Sequence, residues 1–442
     1  MRGLRSTTLL GVVLVALAAY IFLVENKKPA DAPTKTKAWP VDAATIIDVT
    51  IRAAGDTTRV QKGANDGRWT IVEPVRANVD EAVVGSIVNG LAGLDIERVL
   101  DENPVGLKDY GLDPARIEVR FKTGTDATER RLLLGEKTPG SGELYAQTDR
   151  SKGVVLVASF IENTFNKGTF ELRDKSILTF DRMKANALSI THGSTVLTFA
   201  KSGDVDWSMR TPFAARGDFT AIDGALGALS STQVQRFVAD GPVYDLAKYG
   251  LDRPQLTATV TSEGKPVTLT IGGAVDGTRY AMNSTGTGIF TVGENLLAEL
   301  KKGGDDFRRR DVFDFRAFTG TRIEVTRGAD TLVLDKVKGK DADSPDSWKA
   351  STGKVTDALK AEEFLQKVTG LRADSFAKGV PPGLGSPAAV VNVTFGDDNA
   401  KESVRVFVKD ADVYAVRDGE PGAARLTRTA WDAALTALDS LK

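Results

Sequence analysis

Hydrophobic positions along this chain follow two periods, one typical of helices and one typical of strands. In three stretches apolar residues recur every three or four positions, which places them on one helix face. These residues are Val83, Val84, Ile87, Val88 and Leu91, then Ile222, Leu226 and Leu229, then Phe364, Leu365, Val368 and Leu371. Elsewhere apolar and polar residues alternate, as in strands that bury one face. The pattern therefore predicts helices that alternate with groups of strands.

The same landmarks recur three times along the chain. The tryptophans are Trp69, Trp207 and Trp348, with Pro74, Pro212 and Gly353 five residues after each. A Tyr-Ala step occurs at Tyr145, Tyr280 and Tyr414, with separations of 135 and 134 residues. Self-similarity at a fixed period is the sequence signature of tandem structural repeats. We therefore expect one module to be used three times.

A turn sequence lies between the predicted helix and the Tyr-Ala step of each repeat. It is Tyr-Gly-Leu-Asp-Pro at residues 110–114, Tyr-Gly-Leu-Asp-Arg-Pro at 249–254, and a degraded Gly-Leu-Gly-Ser-Pro at 383–387. Glycine tolerates a positive φ and proline restricts φ, so the motif predicts a turn that leads into a strand. Predicted strand pairs follow at 117–121 with 131–134, at 256–260 with 267–271, and at 390–395 with 404–408.

A linking segment joins one repeat to the next. Residues 172–180 align without gaps on residues 307–315, and the third repeat ends instead in a helical run at 431–441. Predicted strands open the repeats at 46–52, 187–191 and 322–326. Asp80 is the predicted cap of the first helix, and Thr220 with Asp223 forms a capping-box-like start for the second.

The predicted fold class is α+β, with three tandem repeats of a β-β-α-β-β-β-α module built on antiparallel sheets and preceded by one transmembrane helix. The predicted organisation is a tail at 1–6, a transmembrane anchor at 7–24, a linker at 25–40, and repeats at 41–180, 181–316 and 317–442.

The anchor prediction rests on residues 7–24, which contain no charge. At about 1.5 Å per residue, this stretch nearly spans a hydrocarbon core of about 30 Å. A cleaved signal peptide is the alternative, but it requires a small-x-small cleavage site, and this run ends in Ile-Phe-Leu-Val at 21–24. Lysines after the helix oppose export by the positive-inside rule, yet long domains translocate largely regardless of charge. The predicted topology is therefore a single membrane span with a short N-terminal tail inside and the C-terminal domains outside the cytoplasm; the resemblance described below implies the inner membrane and the periplasm.

Composition excludes several classes of protein. The 58 Lys and Arg residues balance 59 Asp and Glu residues, so no overall positive field attracts nucleic acid. Cysteine is absent, which rules out disulfides, thiolate nucleophiles and cysteine-ligated zinc. A hydrophobic content of 41% is enough to bury globular cores.

Each motif that could support chemistry also has a structural explanation. The one histidine, His192, is predicted at the end of a strand without identified catalytic partners. Asp113 and Asp252 could act as a paired acid and base, but they belong to different repeats, and their motif favours a structural turn. The repeated tryptophans could line a ligand groove, although core positions are the favoured interpretation.

Three further motifs also favour structural roles. Residues 134–138 and 271–273 are rich in glycine, but neither has a phosphate-loop spacing, and the first is predicted to be a hairpin loop with Pro139 and Gly140. Residues 341–346 are acidic but lack the calcium-loop pattern. For Arg308–Arg310, a solvent-facing loop, an interdomain salt bridge and an anion site remain open. We assign no catalytic, cofactor or metal residue.

The anchor, the W-x4-P and Y-G-L-D-x-P motifs and the Tyr-Ala strand together resemble a bacterial family of unknown function. Its members are commonly encoded beside the permease and the auxiliary extracytoplasmic subunit of gliding-motility-type ABC transporters. The resemblance covers residues 40–442 and is weakest in the third repeat. It implies an anchored, periplasm-facing accessory protein of a transport system, and it supplies no substrate and no catalytic residues.

Three hypotheses about function follow. The leading one is a non-enzymatic binding or scaffolding protein whose partners are the membrane, a transporter permease or auxiliary subunit, or an envelope polysaccharide. The second is a cell-envelope hydrolase that uses Asp and Glu as acid and base. The third is a purely structural spacer.

Overall fold

The computed structural model describes residues 36–441, except 125, 141, 204, 243–244, 287, 340–345 and 351–356. The chain divides into two compact units, residues 1–175 and 176–442. The predicted tail, the predicted anchor at 7–24 and residues 25–35 lie outside the described residues. Within the described part of the chain, no helix is both long enough and apolar enough to cross a membrane.

The first unit contains one large sheet, a small two-stranded sheet and three helices among its described residues. Its elements are β1 Thr36–Lys37, β2 Ile46–Ala53, β3 Asp56–Lys62, β4 Trp69–Glu73, β5 Ala77–Asn78, α1 Glu81–Ala92, β6 Asp95–Ile96, β7 Arg98–Asp101, β8 Ile117–Thr123, β9 Asp126–Lys137, β10 Glu143–Thr148, β11 Val154–Ala158, α2 Ile161–Phe165 and α3 Thr169–Leu172.

The second unit contains two large sheets. The elements around the first of them are β12 Ala185–His192, β13 Thr195–Lys201, β14 Trp207–Thr211, β15 Ala215–Arg216, α4 Phe219–Ser231, β16 Arg236–Ala239, β17 Leu256–Ser262, β18 Lys265–Val275, β19 Thr278–Asn283, β20 Ile289–Gly293 and α5 Glu294–Leu300. Those around the other are β21 Gly320–Arg327, β22 Asp330–Val337, β23 Ser347–Ala350, α6 Ala358–Thr369, β24 Ser375–Ala377, β25 Ala389–Phe395, β26 Ala400–Lys409, β27 Asp412–Arg417, β28 Ala423–Leu426 and α7 Arg428–Asp439.

The three large sheets share one antiparallel strand order. The first is β5-β4-β3-β2-β8-β9-β10-β11-β7 and the second is β15-β14-β13-β12-β17-β18-β19-β20-β16. The third is β23-β22-β21-β25-β26-β27-β28-β24, and residues at the place of its missing edge strand lie outside the described ones. The prediction of mainly antiparallel sheets with helices is confirmed.

The predicted β-β-α-β-β-β-α content of each module was too small. The first two modules have four strands before the long helix and five in the large sheet after it. The missed strands are short: β5 and β15 have two residues each, and β24 has three. Such strands form because a neighbouring strand offers its free backbone groups, so they leave little periodic signal in the sequence.

The helices match their predicted apolar faces, and one of two predicted caps was correct. Val84, Ile87, Val88 and Leu91 of α1 are buried. Asp80 caps α1 by accepting hydrogen bonds from the amides of Ala82 and Val83. The predicted cap of α4 was wrong, because Asp218 accepts from the amide of Ala221 at 2.9 Å, and Asp223 instead pairs with Arg182.

The end of the predicted linker is folded. Thr36 and Lys37 pair with Ile96 and Asp95, and Ala38 and Trp39 are buried in the first core. The indole of Trp39 donates to Asp149 at 2.8 Å. The physical reason for this folding is the burial of Ala38 and Trp39, which follow the paired residue Lys37 and hold the segment against the sheet.

This segment is an unrecognised third copy of the linking segment. Lys37 pairs with Asp95, Ser176 with Gln233, and Asp311 with Arg372. The second residue of each pair lies just after the long helix of its module. The next two residues are buried in the core of the sheet that follows: Ala38 and Trp39, Ile177 and Leu178, Val312 and Phe313. We name residues 37–41, 176–180 and 311–315 the lead-in segments. The sequence boundaries at 180/181 and 316/317 therefore fall after residues that already belong to the next core.

Candidate functional site

Arg308, Arg309 and Arg310 lie between the two sheets of the second unit. Gly217 bridges to Arg308, and the amide of Arg309 donates to the carbonyl of Arg216 at 2.9 Å. On the other side, the amide of Ala373 donates to the carbonyl of Arg310 at 2.7 Å. The arginine run is therefore an extended segment shared by both modules. Of the three open interpretations, the structure supports the interdomain salt bridge.

Arg216 is the centre of the ion-pair network at this place. Its guanidinium donates to the carboxylates of Glu420 and Asp314 and to the carbonyl of Asp311. Its side chain is only 19% exposed, so these pairs are partly shielded from solvent. Burial alone would lower the pKa of Arg216, but the carboxylates of Glu420 and Asp314 outweigh it and raise that pKa. Arg216 therefore stays charged and joins residues of both modules.

Glu402 binds the backbone at the start of the third module, next to the ion pairs of Arg216. Its carboxylate is 2% exposed and accepts from the amide of Asp314 at 2.9 and 3.0 Å. Arg417 donates to Glu402 and also to Asp314. The buried charge of Glu402 thus has both an opposite charge and hydrogen-bond partners, as burial requires.

Arg308 completes the network and is almost fully buried, with 5% exposure. Its guanidinium lies 5.2 Å from the ring centroid of Phe213 and 3.9 Å from that of Phe376. It also lies 3.5 Å from a carboxylate oxygen of Glu420. A cation between two aromatic faces and a carboxylate is stabilised by both. We name Arg216, Arg308, Arg309, Asp311, Asp314, Glu402, Arg417 and Glu420 the charged joint.

A groove of about 1010 Å³ lies over the charged joint. Five arginines and six carboxylates line it: Arg210, Arg216, Arg309, Arg372, Arg417, Asp206, Asp218, Asp311, Asp314, Asp418 and Glu420. Phe219 and Val205 on its wall are 43% and 59% exposed. The volume is sufficient for a peptide segment or a short oligosaccharide. Charges of both signs favour a polar, mixed-charge occupant over a simple anion.

The groove carboxylates are arranged for ion pairing. Asp314 and Glu420 both accept hydrogen bonds from Arg216, and Asp311 pairs with Arg309 and Arg372. Each of these three carboxylates therefore lies against at least one guanidinium.

The other sequence candidates have structural surroundings. His192 ends β12, and its Nε2 lies 3.3 Å from the carbonyl of Lys302. Asp113 and Asp252 are exposed at their turns. Trp207 and Trp348 are buried in their cores, and Trp69 is partly buried against the first core. Residues 341–345 lie outside the described residues, as does Gly353.

The glycine-rich stretches are contact points for the Tyr-Gly turns. A Cβ on Gly135 would lie 2.0 Å from the carbonyl oxygen of Tyr110, and one on Gly272 would lie 2.4 Å from that of Tyr249. Gly135 lies within β9, so the predicted hairpin loop begins later, at Thr138. The backbones of the turn and the strand approach so closely that no side chain fits between them. This contact explains why glycine stands at these positions, and a phosphate-binding role is not needed to explain it.

The same turns explain the repeated Tyr-Ala step. Tyr110 packs edge-on against Tyr145 with centroids 5.1 Å apart, and Tyr249 packs in the same way against Tyr280 at 5.0 Å. In the third module, whose turn lacks the tyrosine, Leu384 and Tyr414 pack against the same small buried cluster. The sequence predicts both motifs but not their contact, because 35 residues separate Tyr110 from Tyr145 and 31 separate Tyr249 from Tyr280.

Fold and site together define a class of protein: tandem antiparallel α+β modules, two of which are joined by a partly buried charge network. A family model described as "Domain of unknown function (DUF4340)" matches residues 69–241 and 207–390, well over half of the chain. This chain belongs to that family. Both matches begin at a repeated tryptophan and extend into the next module, so the family's unit includes the linking region.

Other comparisons add no functional assignment. A comparison with curated proteins found no match. Two solved structures of the DNA polymerase sliding clamp from Pseudomonas aeruginosa, one with ligand, are 10% and 11% identical to this chain. They cover 88% and 87% of this chain and 92% and 91% of their own chains, each with a TM-score of 0.15. A TM-score this low carries no argument about fold or function.

Proposed function

We propose that this protein is a non-enzymatic binding or scaffolding protein, anchored in the inner membrane by residues 7–24, with its modules in the periplasm. Its role is accessory to an ABC-type transport system. The observation that carries the proposal is the charged joint, in which Arg216 connects residues of the second and third modules beneath a large polar groove.

The charged joint supports a scaffolding role because its ion pairs fix the position of the second module relative to the third. Partly buried ion pairs favour one arrangement over others, since any shift leaves a charge unpaired. A fixed arrangement of two modules keeps the groove preorganised, which reduces the entropy lost on binding. The family resemblance and the uncharged N-terminal stretch support the location and the transporter association.

Co-purification of the full chain from detergent-solubilised membranes tests this function. We expect reproducible recovery of a transporter subunit with the wild-type chain and with Arg327→Gln, which changes an exposed arginine outside both the groove and the joint. Arg216→Gln loosens the joint and should reduce recovery. Repeated recovery of the chain alone would contradict the proposal.

A spacer gives a different result in a second experiment. Deletion of the third module should abolish partner recovery if the groove binds, because the groove needs both modules of the second unit. A spacer would keep its partner and change only the distance that it spans.

A further inference from the structure

The carboxylates that the groove shares with the charged joint are already paired within the protein. Asp314 contacts Arg216 and Arg309, and Glu420 contacts Arg216 and Arg308. Each of these two carboxylates therefore meets at least two guanidiniums. A carboxylate that is flanked by cations attracts a further cation only weakly, so this part of the groove does not favour a basic ligand.

Two groove arginines keep positive charge that the protein does not fully balance. Arg210 in β14 is exposed, and its guanidinium has no ion-pair or hydrogen-bond partner within the described residues. The side chain of Arg372 is 63% exposed and lies 3.3 Å from Asp311. That carboxylate is shared, because it also lies 3.5 Å from Arg309 and 3.7 Å from Arg316. Since Arg210 belongs to the second module and Arg372 to the third, both modules offer a cation to an occupant of the groove.

Apolar side chains and two exposed acids further restrict the occupant. Phe219 and Val205 line the same groove and are 43% and 59% exposed, and covering them would contribute hydrophobic stabilisation. An inorganic anion is too small to cover them. Asp206 and Asp418 are also exposed in the groove and would repel a ligand that carries negative charge along its whole length. A peptide with a few acidic residues around an apolar one satisfies both conditions.

We propose that the groove binds an acidic, extended peptide segment of the partner protein, whose carboxylates contact Arg210 and Arg372 and whose apolar side chain covers Phe219 and Val205. This inference rests on the proposed function and names the chemistry of the partner. Guanidinium groups bind carboxylates through two parallel hydrogen bonds, which supplies both affinity and specificity. A neutral oligosaccharide would leave both cations unbalanced. The bound segment would link the second and third modules from the groove, as Arg216 links them within the charged joint.

Selection of a displayed library of random short peptides on the full chain in detergent tests the inference. We expect enrichment of Asp and Glu on both sides of an apolar residue. Arg210→Glu and Arg372→Glu should each weaken the selected peptides by at least about tenfold, because a carboxylate then faces a like charge. Arg327→Glu is the matched control, since it reverses an exposed arginine outside the groove, and it should bind the peptides as the wild-type chain does. Equal urea midpoints of the three variants would show that the fold is retained.

Charge exchange tests direct contact with the arginine. A selected peptide in which lysine replaces the acidic residue should bind Arg210→Glu more tightly than it binds the wild-type chain, and the absence of this gain for every acidic position would contradict the contact. A selection without acidic enrichment, or equal binding to wild type, Arg210→Glu and Arg372→Glu, would overturn the inference. Binding of a neutral oligosaccharide in place of acidic peptides would assign the groove to a glycan and would also overturn it.

The outcome is separable from that of the proposed function. Failure of peptide binding alongside successful co-purification would overturn this inference and leave the proposed function standing. Peptide binding without co-purification of a transporter subunit would support the acidic-peptide site and contradict the transporter association.

Discussion

At the scale of single residues, Arg216 has more partners across the two modules of the second unit than its neighbour Arg210. Arg216 contacts Glu420 and Asp314, whereas Arg210 is an exposed residue on the groove wall. Removing one partner from a shielded ion pair leaves the others uncompensated, and that cost exceeds the value of the pair itself.

Arg216→Met should therefore destabilise the second unit by about 1–3 kcal/mol, a range reduced from that of fully buried pairs because Arg216 is partly exposed. Arg210→Met is the control and should change stability by less than about 0.5 kcal/mol. Urea unfolding followed by tryptophan fluorescence measures both. Equal effects of the two changes would show that the joint is not a stabilising network.

Glycine at the Tyr-Gly contact makes a second residue-scale prediction. Gly135→Ala places a methyl group within the radius of the Tyr110 carbonyl and should destabilise the first unit strongly, by more than about 2 kcal/mol. Gly85→Ala, inside α1 with no atom near its Cβ, should stabilise the same unit by about 0.5–1 kcal/mol. Thermal unfolding of both variants checks the opposite signs.

At the scale of elements, the N-terminal cap of α4 differs between the structure, where it is Asp218, and the sequence prediction, where it is Thr220 with Asp223. Asp218→Ala should cost about 0.5–2 kcal/mol, because it removes the acceptor for the amide of Ala221 at the start of α4. Thr220→Ala, which alters the cap predicted from sequence, should have little effect. Hydrogen exchange in the first turn of α4 would distinguish them, and faster exchange in Thr220→Ala alone would restore the original prediction.

The strand pair β2–β3 makes a prediction about pH. Burial raises the pKa of Asp48, but hydrogen bonds from Arg59 and Gln61 outweigh it, so its pKa is below the usual range. A folded-state pKa below the unfolded value contributes stability above about pH 4, and that contribution is lost as pH falls through the folded pKa. The stability difference between wild type and Asp48→Asn should therefore shrink as pH falls below about 4. Urea midpoints measured from pH 7 to pH 3 test it, and a constant difference would refute it.

At the scale of the whole molecule, the proposed anchor predicts on which side of the membrane the modules lie. The uncharged stretch at 7–24 is the basis for an anchor with the modules outside the cytoplasm. A reporter active only in the periplasm, fused after Lys442, should be active, and its cytoplasmic counterpart should be silent. The reverse pattern would place the modules in the cytoplasm and remove the basis for an extracytoplasmic role.

Local sequence patterns determined the parts of this protein whose energetics are local. The apolar spacing of Val84, Ile87 and Leu91 predicted a helix face, and Asp80 predicted its cap, because neighbours along the chain supply those interactions. The Tyr-Gly and Tyr-Ala motifs likewise marked a turn and a strand in the correct places.

Only the tertiary structure decided which of these parts meet. Arg216 and Glu420 stand 204 residues apart, and no periodicity in the chain indicates that they form an ion pair. Trp39 lay in an apparent linker because its burial depends on Phe121 and Asp149, which come far later in the chain. Short edge strands escaped prediction for the same reason, since a strand of two residues exists only where a neighbour offers its backbone. The charged joint and the groove above it are both products of such long-range contacts.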